Sequence, residues 1–397
     1  MNLGRTVFSQ LMDFIPQHTF RQAVQRHQGN RRVRTFTCWE QFLCMAFAQL
    51  TYREGLRDIE GCLRSVGPKL YHSGLRTRVS RSTLADANES RPWMIYQDLA
   101  LALIQRARTL YARDESDKFF AQELQSALYA FDSTIIDLCL SLFPWARGSV
   151  YQKTSAGIKL HTLLDVPSQL PVTVRVTAAN VHDVRILDEL ILEPGAHYLM
   201  DRAYLDFARL KRIDTAGAFF VIRAKHNLRF HRLYSHPVNK PQGVMSDQTI
   251  ALDVFYSRKD YPDHLRRIRY FDAEHDRTII FLTNNFVLDA STVASLYRSR
   301  WQIELFFRWI KQHLRIKSFY GTSPNAVHTQ VWIALSVYVL IAIVRKELRL
   351  EQMSLYTMLQ ILSITLFEKE PINQVLTEHQ HAIDTPDAAN QLNLFNF

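Results

Sequence analysis

The sequence predicts a protein of mixed α/β class, with a mainly helical N-terminal region followed by an α/β core that a strand-rich insertion interrupts. Three observations lead to this prediction. Apolar residues recur at helical spacing through most of residues 1–120. From about residue 126, short segments rich in β-branched and aromatic residues alternate with helical segments. A basic, strand-like stretch then separates two parts of this alternating pattern.

Length and composition are those of a globular protein. The chain has 397 residues, of which 47% are hydrophobic and 22% charged, so wholesale disorder is excluded and two or three domains are expected. The net charge of +10 indicates a polyanionic partner. Residues 1–120 contain 18 Lys and Arg against 11 Asp and Glu, so most of the excess lies there.

The N-terminal region has features of a DNA-binding module. One helix is predicted after Thr37 and another near Ser82. Short helices with basic entries are typical of helix-turn-helix-like domains, although another basic helical bundle would show the same pattern. Backbone amides at the start of the second helix favour phosphate, and three arginines precede or begin it: Arg76, Arg78 and Arg81.

Strands and helices alternate over the rest of the chain. Strands are predicted in ALYAFDSTIIDL, IKLHTLLDV, LPVTVRVTAA, AHYLMDRAY and AFFVIRAKH, and helices in VRILDELIL and DFARLKRIDTAG. The apolar run VWIALSVYVLIAIV is too short to span a bilayer comfortably and predicts a buried helix. The predicted division is a helical DNA-binding region, a first core part, a β-rich insertion, a second core part and a polar tail: 1–120, 126–217, 218–290, 291–370 and 371–397.

A narrow polar stripe follows the otherwise apolar segment YRSRWQIELFFRWIKQHLRIK. On one continuous helix, Tyr297, Arg300, Glu304 and Lys311 would fall within roughly 60° of one another. Such a stripe indicates a cleft or a ligand, because a glutamate against packed apolar groups would be unfavourable. The alternative is a solvated face on which Arg300 and Glu304 pair at i,i+4 spacing.

Two aspartates stand at the ends of predicted strand halves. Asp132 lies in YAFDST and Asp201 in HYLMDRAY. Each alone is consistent with a turn or helix-cap residue. With Glu304 they form a set of three carboxylates, the oxygen ligands that Mg²⁺ prefers, and nucleases and polymerases hold two metal ions in this way.

These motifs resemble those of the insertion sequence 4 family of transposases. The spacing Tyr297-x2-Arg300-x3-Glu304-x6-Lys311 is similar to the family's Y-R-E-K signature. DST at 132 and DRAY at 201 resemble its two catalytic-aspartate motifs, and this likeness covers residues 126–345. Residues 1–75 resemble the small domain that often precedes the transposase domain.

The resemblance implies a fold, a site and a reaction. The fold would be ribonuclease-H-like, with the insertion between the second aspartate and the glutamate. The enzyme would bind the terminal inverted repeats of an insertion sequence as a homodimer in the bacterial cytoplasm, cleave DNA and transfer the strand. Asp132, Asp201 and Glu304 would be catalytic and bind two Mg²⁺ ions, for which Mn²⁺ can substitute. Phosphate contacts would come from Tyr297, Arg300, Lys311 and Arg202, the last of which could instead form a salt bridge that orients its loop.

Relatives can place a tryptophan in the insertion, where it stacks on a flipped base. This chain has no tryptophan between Asp201 and Trp301, which leaves Phe230, Tyr256 and Tyr261 as stacking candidates.

Three other functions compete with the transposase reading. They are a DNA-end-binding protein without activity, a nuclease without strand transfer, and a glycosidase-like acid–base enzyme. The cationic stripe beside Glu304 disfavours the glycosidase. His161 is interpreted as a strand residue, and the His182-Asp183 pair as part of a turn.

Overall fold

The chain forms two compact units, which comprise residues 1–114 with 308–397 and residues 115–307. The fold comes from a computed structural model, which describes residues 4–67, 69–76, 78–112, 124, 126–146, 156–313 and 319–383. The predicted linker at 112–118 lies outside these residues except for its first position.

The first unit is helical. Helix α3 (Cys38–Leu50) begins with a capping box, in which the side chains of Thr37 and Glu40 each accept the backbone amide of the other residue. The prediction that a helix begins after Thr37 is therefore confirmed. Helix α7 (Met94–Tyr111) packs its long apolar face against α13 (Pro324–Glu347), and α2 (Gln17–Arg26) packs on α7. The helices are α1 (Val7–Met12), α2 (Gln17–Arg26), α3 (Cys38–Leu50), α4 (Leu56–Val66), α5 (Lys69–His72), α6 (Arg81–Ser90) and α7 (Met94–Tyr111). The later helices are α8 (Asp183–Ile186), α9 (Phe207–Thr215), α10 (Phe255–Asp260), α11 (Ala290–Ser299), α12 (Trp301–His313), α13 (Pro324–Glu347), α14 (Leu355–Thr365) and α15 (Ile372–Ile383).

The apolar run at 331–344 lies within α13. Of the described helices, α13 is the one long and apolar enough to cross a membrane, but 94% of its apolar window is buried inside the protein. It is therefore placed like the central helix of a globular core, as predicted. Its first turn begins after Ser323, whose hydroxyl accepts the Ala326 amide, and has proline at its first position.

The second unit contains a nine-stranded sheet in the order β3-β2-β1-β4-β5-β9-β8-β7-β6. β1 pairs with β4, and β4 with β5, in parallel, whereas every other neighbouring pair is antiparallel. The basic stretch after β5 therefore extends the core sheet. The strands are β1 (Leu128–Leu138), β2 (Ala156–Asp165), β3 (Leu170–Ala178), β4 (His197–Met200), β5 (Phe219–Arg223), β6 (Phe230–His236), β7 (Val244–Leu252), β8 (Leu265–Asp272) and β9 (Arg277–Thr283).

Burial decides which strands are central. β2 is buried at nine of its ten positions and β4 at all four, so both strands are covered on two faces. A core cluster that includes Phe131, Met200 and Phe220 holds β1, β4 and β5 together. The edge strand β6 is mostly exposed, and its charged and aromatic residues reduce its tendency to pair with other chains.

Some predicted boundaries differ from the observed ones. α6 begins one residue before Ser82, and Ser80 is its cap. The segment VRILDELIL forms only the short α8 and a 3₁₀ turn at Leu187–Glu189, because the helical bonding does not continue past that turn. Within the predicted polar tail, α15 spans Ile372–Ile383, and its apolar residues Ile372, Val375 and Leu376 are buried at i, i+3, i+4 spacing.

Candidate active site

Neighbouring parallel strands place the two aspartates side by side. Phe131 on β1 pairs with Met200 on β4 in the last register position that the two strands share. Asp132 and Asp201 follow these residues directly, so both emerge at one point along the sheet. Four buried residues precede each aspartate, whereas the aspartates themselves are half-buried. The sheet therefore places Asp132, within β1, and Asp201, just after β4, at matching positions on neighbouring strands.

Arg300 links Glu304 to Asp132. Its Nη1 donates to Asp132 Oδ2 at 3.2 Å, and its Nη2 donates to Glu304 Oε1 at 2.6 Å. The Arg300 side chain is 14% exposed, so this contact is largely shielded from water. The i,i+4 pair of Arg300 and Glu304, which was the alternative interpretation, therefore exists. Arg300 also bonds Asp132, which lies 168 positions away in the sequence. The arginine and both carboxylates form one cluster.

The three carboxylates share one electrostatic environment. Burial is the largest cause that raises the pKa of Asp132 to about 6. The Ser133 amide and Arg300 lower it, whereas the charges of Asp201 and Glu304 raise it further. Asp201 and Glu304 therefore both lie within electrostatic range of Asp132.

Tyr297 lies beside this cluster. Its ring packs on Phe281 at 4.8 Å between centroids, and the Arg300 guanidinium lies 5.6 Å from the Tyr297 ring centre. Burial raises the pKa of Tyr297, while Arg300 opposes that effect and Asp201 adds to it. Tyr297 therefore presents a neutral hydroxyl next to the carboxylates.

The helix that carries the signature is not continuous. Tyr297 lies on α11, Glu304 on α12, and Arg300 occupies the break between them. The Arg300 amide bonds Tyr297 O and the Ile303 amide bonds Arg300 O, so the chain makes tighter i→i+3 bonds there. The prediction of one straight helix was wrong at this position. The tightened turn coincides with the residue whose side chain bonds both carboxylates.

The two remaining predicted DNA contacts are Arg202 and Lys311. Arg202 opens a 3₁₀ turn after Asp201, and its amide donates to Asp201 Oδ1 at 2.6 Å. Its side chain is exposed, and it forms no ion pair with the residues that the structure describes. Lys311 lies on α12, seven residues after Glu304, in the part of that helix that belongs to the first unit.

A buried network beside Asp132 was not predicted. The Ser133 hydroxyl donates to Asp183 Oδ1 at 2.7 Å, and Lys159 Nζ lies 3.1 Å from the same oxygen. His161 Nδ1 is 3.5 Å from it, and burial lowers the pKa of His161 to about 4. His161 does lie on a strand, as predicted. The signal for the network was alternation on β2, where Lys159 and His161 share a face next to the strand that carries Asp132.

Two of the three aromatic stacking candidates remain accessible. Tyr261 is 1% exposed and packs against Phe220, so it cannot stack on a base. Phe230 is half-buried and lies 4.8 Å beneath the Arg267 guanidinium. Tyr256, on α10, is 74% exposed. Tyr256 is the most accessible of the three predicted candidates.

The donor set fits a divalent cation. Asp132 and Asp201 each use one oxygen to accept a backbone amide, from Ser133 and Arg202 respectively. The mutual repulsion that raises the pKa of Asp132 would be relieved by a cation between the carboxylates. In the present arrangement the Arg300 guanidinium supplies that positive charge.

A second acidic group is more compact than the triad but already neutralised. The ligand atoms of Asp272, Glu274 and His275 all lie within 4.8 Å of one another. However, Asp272 also accepts Arg277 Nε at 3.2 Å and has Arg298 Nη2 at 3.9 Å. These residues line a cavity of about 900 Å³ that reaches Tyr297 and Arg300. We do not assign a cation to this group.

Comparison with known proteins identifies the family. Residues 124–340 match the model of the transposase DDE domain. The chain belongs to the DDE transposases. Residues 3–76 match a domain of unknown function, DUF4372. The resemblance drawn from the Y-R-E-K spacing is confirmed, and so is the predicted fold class: the order β3-β2-β1-β4-β5 forms the mixed sheet of this ribonuclease-H-like family, with the helical region before it.

Curated relatives of this chain are named as transposases. The chain is 34% identical to a protein of Sinorhizobium fredii named as transposase y4zB, over 73% of this chain and 78% of the relative. It is 31% identical to a protein of Geobacillus stearothermophilus named as a transposase for insertion sequence element IS5377, over 78% and 76%. Among solved structures, a piggyBac transposase synaptic complex with hairpin DNA gives a TM-score of 0.45 at 12% identity, over 97% of this chain and 82% of that one.

Proposed function

We propose that this insertion-sequence transposase binds the terminal inverted repeats of its element and catalyses Mg²⁺-dependent cleavage and strand transfer. The observation that carries the proposal is that Arg300 bonds both Asp132 and Glu304, while Asp201 follows the strand next to the one that contains Asp132. This grouping supports the DDE triad that the family resemblance implies. The homodimer and the cytoplasmic, nucleoid-associated location remain part of the proposal.

Asp132, Asp201 and Glu304 would hold the divalent ions. When bound, such ions polarise a phosphoryl oxygen and activate water or a 3′-hydroxyl. The sheet contributes position, because Asp132 within β1 and Asp201 after β4 follow residues that pair in register. Arg300, Tyr297, Arg202 and Lys311 would contact phosphates beside the cleaved bond. Arg300 would exchange its carboxylate partners for phosphate oxygens, which accept the same paired donors.

We also propose that different segments of the chain have different roles. Residues 1–120 would bind DNA, residues 126–217 and 291–370 would carry the reaction, and residues 218–290 would form the insertion. Phe230 or Tyr256 would stack on a base in that insertion. The excess of positive charge in residues 1–120 supports the first assignment.

A cleavage assay tests the proposal. Purified chain is mixed with an end-labelled duplex that carries the element's terminal repeat, with Mg²⁺, and products are separated on a denaturing gel. We expect wild type to nick at the repeat boundary, and Glu304→Gln to bind equally well but cut at least about 10³-fold more slowly. Glu189→Gln is the matched control, because Glu189 is an exposed partner of Arg175 away from the triad.

Two outcomes would favour the competing functions. If wild type binds the repeat but cuts with neither Mg²⁺ nor Mn²⁺, the chain is an end-binding protein. If it cuts but joins no end to a target plasmid, it is a nuclease without strand transfer. Calorimetric titration with Mn²⁺ provides a readout independent of activity: Asp201→Asn should bind the ion at least tenfold more weakly than wild type.

A further inference from the structure

We propose that α2 and the loop after it form the surface that recognises the terminal repeat. This inference rests on the proposed function and identifies the residues that would contact DNA. α2 would enter the major groove, and the loop would hold phosphates. Residues 14–39 contain five arginines, four glutamines and two histidines, and no aspartate or glutamate. This is the chemistry that reads base edges and binds the backbone of duplex DNA.

The surface contains a concave groove lined by arginines. A groove of about 1060 Å³ has Phe20 and Trp39 in its wall, and four arginines line it: Arg21, Arg31, Arg34 and Arg76. All four are exposed, and none pairs with an acidic side chain among the described residues. One glutamate, Glu40, also lines the groove, but it is buried in the capping box of α3. A convex phosphodiester backbone fits such a groove.

The loop that carries Arg31 and Arg34 is anchored. The Asn30 side chain accepts the Cys38 amide at 2.8 Å. Gly29 lies so close to the Ile95 side chain and Cys38 Sγ that an added Cβ would be 2.8 Å from the sulfur. Arg32 adopts a φ of 61°, which an ordinary residue rarely holds without such support. Fixed arginines lose less conformational entropy when they bind phosphate.

α2 exposes a polar face suited to base contacts. His18, Arg21, Gln22 and Gln25 lie at i, i+3, i+4 and i+7, and all four are exposed. The opposite face, with Phe20, Ala23 and Val24, is buried. Arginine and glutamine form bidentate bonds with guanine and adenine respectively in the major groove, which is wide enough to admit a helix.

The start of α6 is the alternative DNA-binding site in this region, because the sequence predicts that phosphate would bind there. The Ser80 hydroxyl already accepts the Thr83 amide, and Glu60 Oε2 accepts the Arg81 amide at 3.1 Å. A carboxylate therefore occupies the position that an anion would take. Arg76, one of the three arginines of that prediction, lines the α2 groove instead.

The test measures binding by the full chain in the Glu304→Gln background, with EDTA present. Fluorescence anisotropy is recorded with a terminal-repeat duplex and a scrambled duplex, between roughly 50 and 200 mM salt. The loop variant is Arg31→Ala with Arg34→Ala, and the helix variant is Arg21→Ala with Gln25→Ala. Arg64→Ala is the control that matches the helix variant in charge, because Arg64 pairs with Glu60 and does not line the groove. Circular dichroism melts check that each variant folds.

The loop variant should bind both duplexes at least tenfold more weakly, with a salt slope lower by about two, since two phosphate contacts are lost. The helix variant should lose roughly 5- to 150-fold in affinity for the terminal repeat, and less for the scrambled duplex. If folded variants bind like the parent, this surface assignment is wrong while the proposed function stands. If the parent itself binds no repeat, both fail.

Discussion

The candidate active site and the α2 groove use arginine in opposite ways. In the site, Arg300 is largely buried and bonded to Asp132 and Glu304. In the groove, Arg21 and Arg34 are exposed and have no acidic partner among the described residues. A ligand at the first site must therefore replace internal ion pairs, whereas a ligand at the second meets cations that only water and salt screen.

The two arrangements have different roles: paired charges position groups within the site, whereas unpaired arginines attract DNA from solution. Charges that are paired internally contribute little to the field outside the protein, so they position groups without drawing a polyanion from solution. Unpaired arginines on a groove act over about a Debye length and depend strongly on salt. We therefore expect DNA affinity to follow the groove residues, and the rate of cleavage to follow the paired cluster.

Among single arginine substitutions, the largest effect is expected at Arg300. Arg300→Met should slow cleavage by about 10²-fold, because the phosphate contact and the alignment of the carboxylates are both lost. In EDTA it should also lower the midpoint of thermal unfolding, since Asp132 and Glu304 would repel each other without a cation. Addition of Mn²⁺ should raise the midpoint of the variant more than that of wild type. Equal shifts in the two proteins would show that Arg300 does not hold the carboxylates together.

Much of the fold could be predicted because its signals are local. The Thr37 cap, the helix ending before Gly217 and the buried run at 331–344 each depend on neighbouring residues. The continuation of the core sheet through β9, β8, β7 and β6 depends on the β5–β9 pairing between distant segments. No pattern within either strand reports that pairing, so a single sheet of all nine strands could not be predicted.

The site was predicted in its residue types and only partly in its geometry. Fixed spacing and motif order marked Asp132, Asp201 and Glu304, and the parallel register explains why the two aspartates meet. The break at Arg300 could not be predicted, because its partner Asp132 lies 168 residues away. The α2 groove was missed for a similar reason: a count of charges does not tell which arginines are paired, and Arg26 pairs with the distant Asp98.

A smaller effect should follow from the network beside Asp132. Lys159→Met removes the cation 3.1 Å from Asp183 and leaves that half-buried carboxylate with a neutral His161. We expect the free energy of unfolding to fall by about 2 kcal/mol, less than for a fully buried pair, and cleavage to slow roughly tenfold. Chemical denaturation and the nicking assay measure both.

Asp183→Asn provides the control for that network. If Lys159 acts through Asp183, the double variant should be little worse than either single one. Fully additive losses would show that Lys159 and Asp183 act independently, and would contradict a shared role in orienting the Ser133 side chain.

The raised pKa of Asp132 predicts a pH-dependent stability difference of at most about 3 kcal/mol. Its folded pKa of about 6 lies above the ordinary value of 3.8, so ionised Asp132 destabilises the folded state. Below pH 3.8 the carboxyl is neutral in both states, and wild type and Asp132→Asn should match. Between pH 3.8 and 6, wild type should lose stability relative to the variant, and above pH 6 the difference should level off, as measured by urea denaturation in EDTA. A constant difference across this range would contradict the assigned cause.

The smallest expected effect separates exposure from pairing most directly. Arg26 and Arg21 lie on the same short helix, α2, and both are exposed. Arg26 donates to Asp98 at 2.8 Å, whereas Arg21 lines the groove without an acidic partner among the described residues. Arg26→Ala should therefore change affinity for the terminal repeat by less than about twofold, because an exposed ion pair adds little net charge or energy. Arg21→Ala should weaken binding at least about fivefold. Equal losses would mean that the helix attracts DNA through total charge alone, and the contrast between paired and unpaired arginines would fail on α2.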